Sequence, residues 1–112
     1  MRFSVVPVPF PFDDLSGQKV RPAVCLTDAV GTHRHVVLAF ITSTVPSTPE
    51  PTDILLTPGT PDFARTGLRV PSTLRLHRMV TMSTSTIRRQ LGTLAPGIQG
   101  EVQQLLRTLF AL

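Results

Sequence analysis

The chain has neither tryptophan nor tyrosine, and one cysteine in 112 residues. A single cysteine cannot make a disulfide framework, so the cytoplasm is the expected compartment. Cys25 stands in the apolar run AVCL and reads as a buried, inert thiol. Metal ligands are scarce as well. The three histidines are His33, His35 and His77; His33 and His35 share a strand face, but no carboxylate at matching spacing joins them, and no metal is expected. Glycine-rich phosphate loops, G-x-S-x-G elbows and spaced Cys–His pairs are missing, which argues against nucleotide-cofactor and acyl-transfer chemistry; no cofactor is expected. No apolar run approaches about 18 residues, so no membrane span is expected. The start MRFSVV lacks the apolar stretch and small-residue cleavage site of a signal peptide.

Proline is plentiful, with 11 residues against 7 glycines. They punctuate apolar runs and mark turns. Hydrophobic residues make up 41% of the chain, enough for one core, and residues 1–112 read as one domain. The net charge is +4, and Lys19 is the one lysine beside ten arginines. Guanidinium groups suit planar, two-point contact with phosphate, so a polyanionic partner is a fair expectation.

The run VPVPFPF, residues 6–12, alternates Val6, Val8, Phe10 and Phe12 with Pro7, Pro9 and Pro11. Period two predicts a half-buried strand. Amides of alternate residues point the same way, so the three missing donors line one edge and the other edge remains able to pair. A polyproline ligand would want prolines three apart, and these are not. A polar loop follows over 13–19. The run VRPAVCL forms a second strand, with Arg21 held extended by Pro22. Residues 33–43 predict a third strand, 44–52 a loop, 53–56 a short strand and 57–72 an irregular connection. In the strand over 73–82, Leu74, Leu76, Val80 and Met82 would share a face that Arg78 interrupts, which predicts a bulge or an exposed end. STSTIRR reads as a turn or single helical turn, and 90–94 as a last short strand. In the tail Ile98, Val102, Leu105, Leu106 and Leu109 recur at helical spacing after Pro96. The sum is a mainly β chain: a small antiparallel barrel covered by a C-terminal α-helix.

Arginines, hydroxyls and histidine are the reactive groups left. That set can cleave RNA, because RNA brings its own nucleophile in the 2′-hydroxyl. The protein must take that proton, protonate the leaving 5′-oxygen and stabilise charge on phosphorus, giving a 2′,3′-cyclic phosphate.

The segments VPFPFDDLSGQKVRPAVCL, ITS and GLRVPSTLRLHRMVTM, in that order, resemble the MazF/PemK family of toxin endoribonucleases. The resemblance implies an SH3-like barrel with a C-terminal helix acting as a homodimer. It implies metal-independent, sequence-selective cleavage of single-stranded RNA and a cognate antitoxin protein that blocks the groove. Arg21 falls on the family's catalytic arginine, which stabilises the phosphorane. Thr42 falls on its active-site threonine; a hydroxyl is too weak a base to act unaided, so Thr42 would bond and position, with Ser43 as its understudy. The loops over 13–19 and 43–52 would flank the RNA. Lys19 could meet phosphate, Ser16 and Gln18 base edges, and Thr44 and His77 complete the expected RNA-binding set. The chain departs from the family pattern at Phe3-Ser4, where relatives carry Gly-Asp, at the extra Pro7, and at His77, where relatives often carry Asp. Two rival readings keep the fold: an RNA- or protein-binding module without catalysis, and a CcdB-like gyrase inhibitor, which the lack of tryptophan disfavours.

Overall fold

A computed structural model describes residues 1–10 and 19–112, the side chain of Phe10 apart. Six antiparallel strands form one curled sheet in the order β4-β5-β3-β2-β1-β6. Their ranges are β1 Ser4–Phe10, β2 Lys19–Cys25, β3 His35–Thr42, β4 Asp53–Leu56, β5 Ser72–Ser83 and β6 Gly92–Thr93. The helices among the described residues are α1 Pro61–Thr66, α2 Pro96–Phe110 and a single 3₁₀ turn at Thr84–Thr86. The mainly β fold with a terminal helix is the one expected.

The prolines act as their parity requires. Val5 O accepts from Leu91 N at 2.7 Å and Phe3 O from Leu94 N at 3.0 Å. Val5 therefore faces the β6 side, and so do Pro7 and Pro9, two and four residues on. β6 pairs only with Ser4 and Val5 and leaves before the prolines begin. On the other side β1 pairs with β2 continuously from Val5↔Val24 to Phe10↔Lys19. Pro11 and Phe12 lie outside the described residues.

Both faces of the sheet are packed. One carries Val5, Val24, Ala39, Ile41, Leu74 and Leu76 against Phe63 of α1 and Val102 of α2. The other carries Val6, Val8, Ala23, Cys25, Val36, Leu38 and Phe40. Cys25 is fully buried, and burial pushes its thiol up to about 11, as an inert core cysteine requires.

The β5 face differs from the expected one. Ala39 pairs with Met79 while Phe40 pairs with Arg75, so residues 76–78 are extra on the β5 side. The bulge falls where Arg78 predicted it, and it also reverses the strand's phase. Leu74 and Leu76 enter the core under the helices, whereas Val80 and Met82 pack against the opposite face, with Val36 and Leu38. Four residues that alternation places on one face thus serve two.

The connection over 57–72 is not wholly irregular, because it holds α1. Thr60 caps this helix, its Oγ1 accepting from Phe63 N at 3.1 Å, with Pro61 in the first turn and Gly67 at φ 74 closing it. Single-face packing of Phe63 and Thr66 makes so short a helix stable. β6 is also shorter than the strand expected over 90–94. In α2, Ile98, Val102, Leu105 and Leu106 meet the sheet, while Leu109 lies beyond it and is 36% exposed.

Candidate active site

The β2–β3 ladder ends at Ala23↔Phe40. Its cause is readable in the backbone. Leu26 N donates to Val37 O at 2.8 Å, so even-numbered residues of β2 present their amides to β3. Pro22 occupies the next such position, opposite Ile41, and has no amide to give. Beyond it lie Arg21 and Thr42, each on the face that carries Ala23 and Phe40.

A groove opens there, lined by Arg21, Phe40, Ile41, Thr42, Thr44, Arg75 and Arg78, with a volume of about 140 Å³. That admits a phosphate-sized group and is well below the roughly 300–1,000 Å³ of enclosed small-molecule pockets. Among the described residues, three that line it are arginines and none is a carboxylate, a lining that favours an anion. Thr42 Oγ1 accepts from Thr44 N at 3.1 Å, which fixes the hydroxyl oxygen and leaves its proton to donate elsewhere.

One wall is built from β4 and β5. Asp53 stands directly opposite Arg75. Its carboxylate is fully buried; Oδ2 accepts from Glu50 N at 2.8 Å and Oδ1 from Arg75 Nε at 3.1 Å. His77 Nδ1 lies 3.9 Å from the same Oδ1. Thr73, paired with Thr42 across the β3–β5 ladder, is buried, and its hydroxyl has no hydrogen-bond partner among the described residues.

Of the residues singled out in the sequence, Arg21, Thr42 and Thr44 meet in this groove. Ser43 follows β3 and is exposed without lining it, and Lys19 is exposed at the start of β2. His77 lies behind the groove wall, on Asp53, rather than in the lining. Ser16 and Gln18 lie outside the described residues. His33 and His35 stack with ring centroids 6.0 Å apart, and no group of three or more metal-ligating side chains occurs among the described residues. Sequence reasoning missed Arg75, Arg78 and the Asp53 grip. Arg78 breaks the apolar pattern of its strand, and of the three extra residues of β5 it is the one that lines the groove, while Leu76 is buried in the core. A wider hollow of about 430 Å³ lies along the proline edge, lined by Pro7, Val8, Pro9, Val20, Thr86, Arg88 and Arg89.

The chain thus combines a curled antiparallel sheet, a C-terminal helix and an arginine–threonine groove where one strand pair parts. The chain matches the PemK-like, MazF-like toxins of type II toxin-antitoxin systems over residues 1–110 and belongs to that family. Its fold is similar to the Mycobacterium tuberculosis toxin MazF-mt6, with a TM-score of 0.70, 23% identity and 97% of each chain covered. It is likewise similar to a mycobacterial endoribonuclease solved with its cognate antitoxin, at TM-score 0.70 and 19% identity over 100% of this chain and 95% of that one. The Deinococcus radiodurans MazE-MazF structure aligns at TM-score 0.70 and 19% identity, covering 99% and 95%. A search of curated proteins gave no sequence match. No helix among the described residues is long and apolar enough to cross a membrane.

Proposed function

We propose that this protein is a toxin endoribonuclease that cleaves single-stranded RNA without a metal, selecting its site by sequence. The observation that carries this is the meeting of Arg21 and Thr42 in one groove that is lined by arginines and sized for phosphate. In the reaction the 2′-hydroxyl gives its proton to solvent water, the 2′-oxygen attacks phosphorus, and the bond to the 5′-oxygen breaks as that oxygen takes a proton back from solvent. The products are a 2′,3′-cyclic phosphate and a 5′-hydroxyl. Arg21 stabilises the charge that builds on the phosphorane oxygens. Thr42, its oxygen held by Thr44 N, donates to a phosphate oxygen and positions it. A metal is unnecessary because the nucleophile is intramolecular and the charge is met by guanidinium.

The mycobacterial and Deinococcus neighbours include toxins bound to antitoxins. A cognate antitoxin protein is therefore the proposed partner, with a homodimer as the working assembly and the cytoplasm as its place of action. The test is incubation with single-stranded RNA in EDTA, with end-group analysis of the products. Cyclic phosphate ends are expected. Arg21→Ala should slow cleavage by about 10²–10³-fold, the cost of removing one transition-state donor. Intact RNA under conditions where the protein still binds it would support the non-catalytic binding module instead.

A further inference from the structure

Asp53 is in an unusual position for a carboxylate. It heads an edge strand yet is fully withdrawn from solvent, and withdrawing a charge is costly unless it is paired. Its two oxygens are used separately: Oδ2 secures the turn through Glu50 N, and Oδ1 takes Nε of Arg75. A side-on grip at Nε leaves the guanidinium's terminal nitrogens, with four N–H donors, for the groove that Arg75 lines. The side chain of Arg75 is 22% exposed, and among the described residues Asp53 is its only ion-pair partner. Arg75 lies two strands across and two residues along from Arg21, roughly 12 Å at the backbone, with Phe40 between them as the floor.

We infer that Asp53 is a positioning residue that aims Arg75 into the groove, and that Arg75 is a second phosphate-binding residue for single-stranded RNA, taking a phosphate beside the one that Arg21 meets. This rests on the RNA reading of the groove and adds a direction to it: the nucleotide chain crosses the strands from β2 over β3 to β5. Thr42 lies on that path.

Charge alone and positioning predict opposite signs. Deleting a carboxylate from the wall of an anion-binding groove should tighten RNA binding through the field. Deleting the grip should weaken it, because Arg75 must then be ordered anew at each encounter. The measurement is fluorescence anisotropy with short 2′-O-methyl RNA of mixed sequence, which cannot be cleaved, across a salt series. Arg75→Gln should lower affinity about tenfold and flatten the log–log salt slope by about 0.7, one single-strand phosphate contact. Asp53→Asn should lower affinity by part of that factor, and the double variant should bind no worse than Arg75→Gln alone. Thermal unfolding checks that each variant is folded. If Asp53→Asn does not fold, Arg75→Lys carries the test: the charge is kept, the Nε grip is lost, and affinity should fall severalfold.

Tighter or unchanged binding in Asp53→Asn, an unchanged slope in Arg75→Gln, wild-type affinity in Arg75→Lys, or an Asp53 effect that persists without Arg75 would each overturn the inference. A wild-type protein that binds RNA without cutting it, with these variant effects present, removes the nuclease reading and leaves the inference standing. Cleavage by wild type with all variants behaving alike removes the inference alone. Failure of the wild type to bind RNA overturns both.

Discussion

Replacing Pro22 by alanine asks whether one missing amide is what parts β2 from β3. Position 22 faces β3, opposite Ile41, by the parity that Leu26 N and Val37 O establish. Alanine supplies the donor, and the ladder can then run one step further. A ladder bond is worth about 0.5–1.5 kcal/mol net. Against this, exchanging proline for alanine frees the unfolded chain and costs about 0.4–1 kcal/mol. The two nearly cancel, so the unfolding midpoint should move by no more than a few degrees. Function should not cancel. To admit a phosphate between Arg21 and Thr42 the strands must give up the new bond, and 0.5–1.5 kcal/mol is a loss of about two- to tenfold in cleavage or RNA affinity. Hydrogen exchange read by NMR gives the structural half of the result: the new amide at 22 should be protected to about the level of its neighbour at 24. An unprotected amide at 22 with wild-type cleavage would refute the idea that Pro22 parts the strands. A fall in stability beyond about 2 kcal/mol would show that Pro22 has another role in the fold.

Two further outcomes follow from backbone and core. Gly67 closes α1 at φ 74, and a Cβ there would sit 2.1 Å from Leu91 O; Gly67→Ala should cost at least about 2 kcal/mol by urea unfolding, whereas Gly59→Ala, at φ 97 with open space around it, should lose only the conformational share. Cys25, raised from 9.0 to about 11 by burial, holds its proton in the folded state at pH values where the unfolded chain releases it. Its contribution to stability is therefore constant below pH 9.0 and declines from there to about 11; urea midpoints across that range in wild type and Cys25→Ala should converge, and a thiol reagent should react only as the chain unfolds.

Much of the fold could be read from periodicity. The alternating prolines required a strand that pairs on one side, and β1 does so because β6 departs at Val5. Arg78 in an apolar strand required a dislocation, and residues 76–78 supply it. The helical spacing after Pro96 is met by α2, which runs through Leu109 to Phe110, although Leu109 is 36% exposed where the earlier members of the stripe pack. α1 was hidden by its length: one large apolar residue, Phe63, gives no period, and the local signs were its ends, Thr60–Pro61 and Gly67. In the groove, Arg21 and Thr42 came from motif resemblance. Arg75 and Asp53 did not, since 22 residues separate them and only the β4–β5 register brings them opposite. His77 drew attention by its chemistry, yet its ring reaches the rear of that ion pair rather than the lining.

The phase reversal in β5 makes one strand a partition between two compartments. A label at position 74 would report on the space beneath the helices, and one at position 82 on the opposite packed face, although a continuous backbone joins them. Of the three surplus residues between, Leu76 stays fully buried beneath the helices, while His77 and Arg78 are exposed, so a pair of labels on one strand would separate the loosening of the two packed faces.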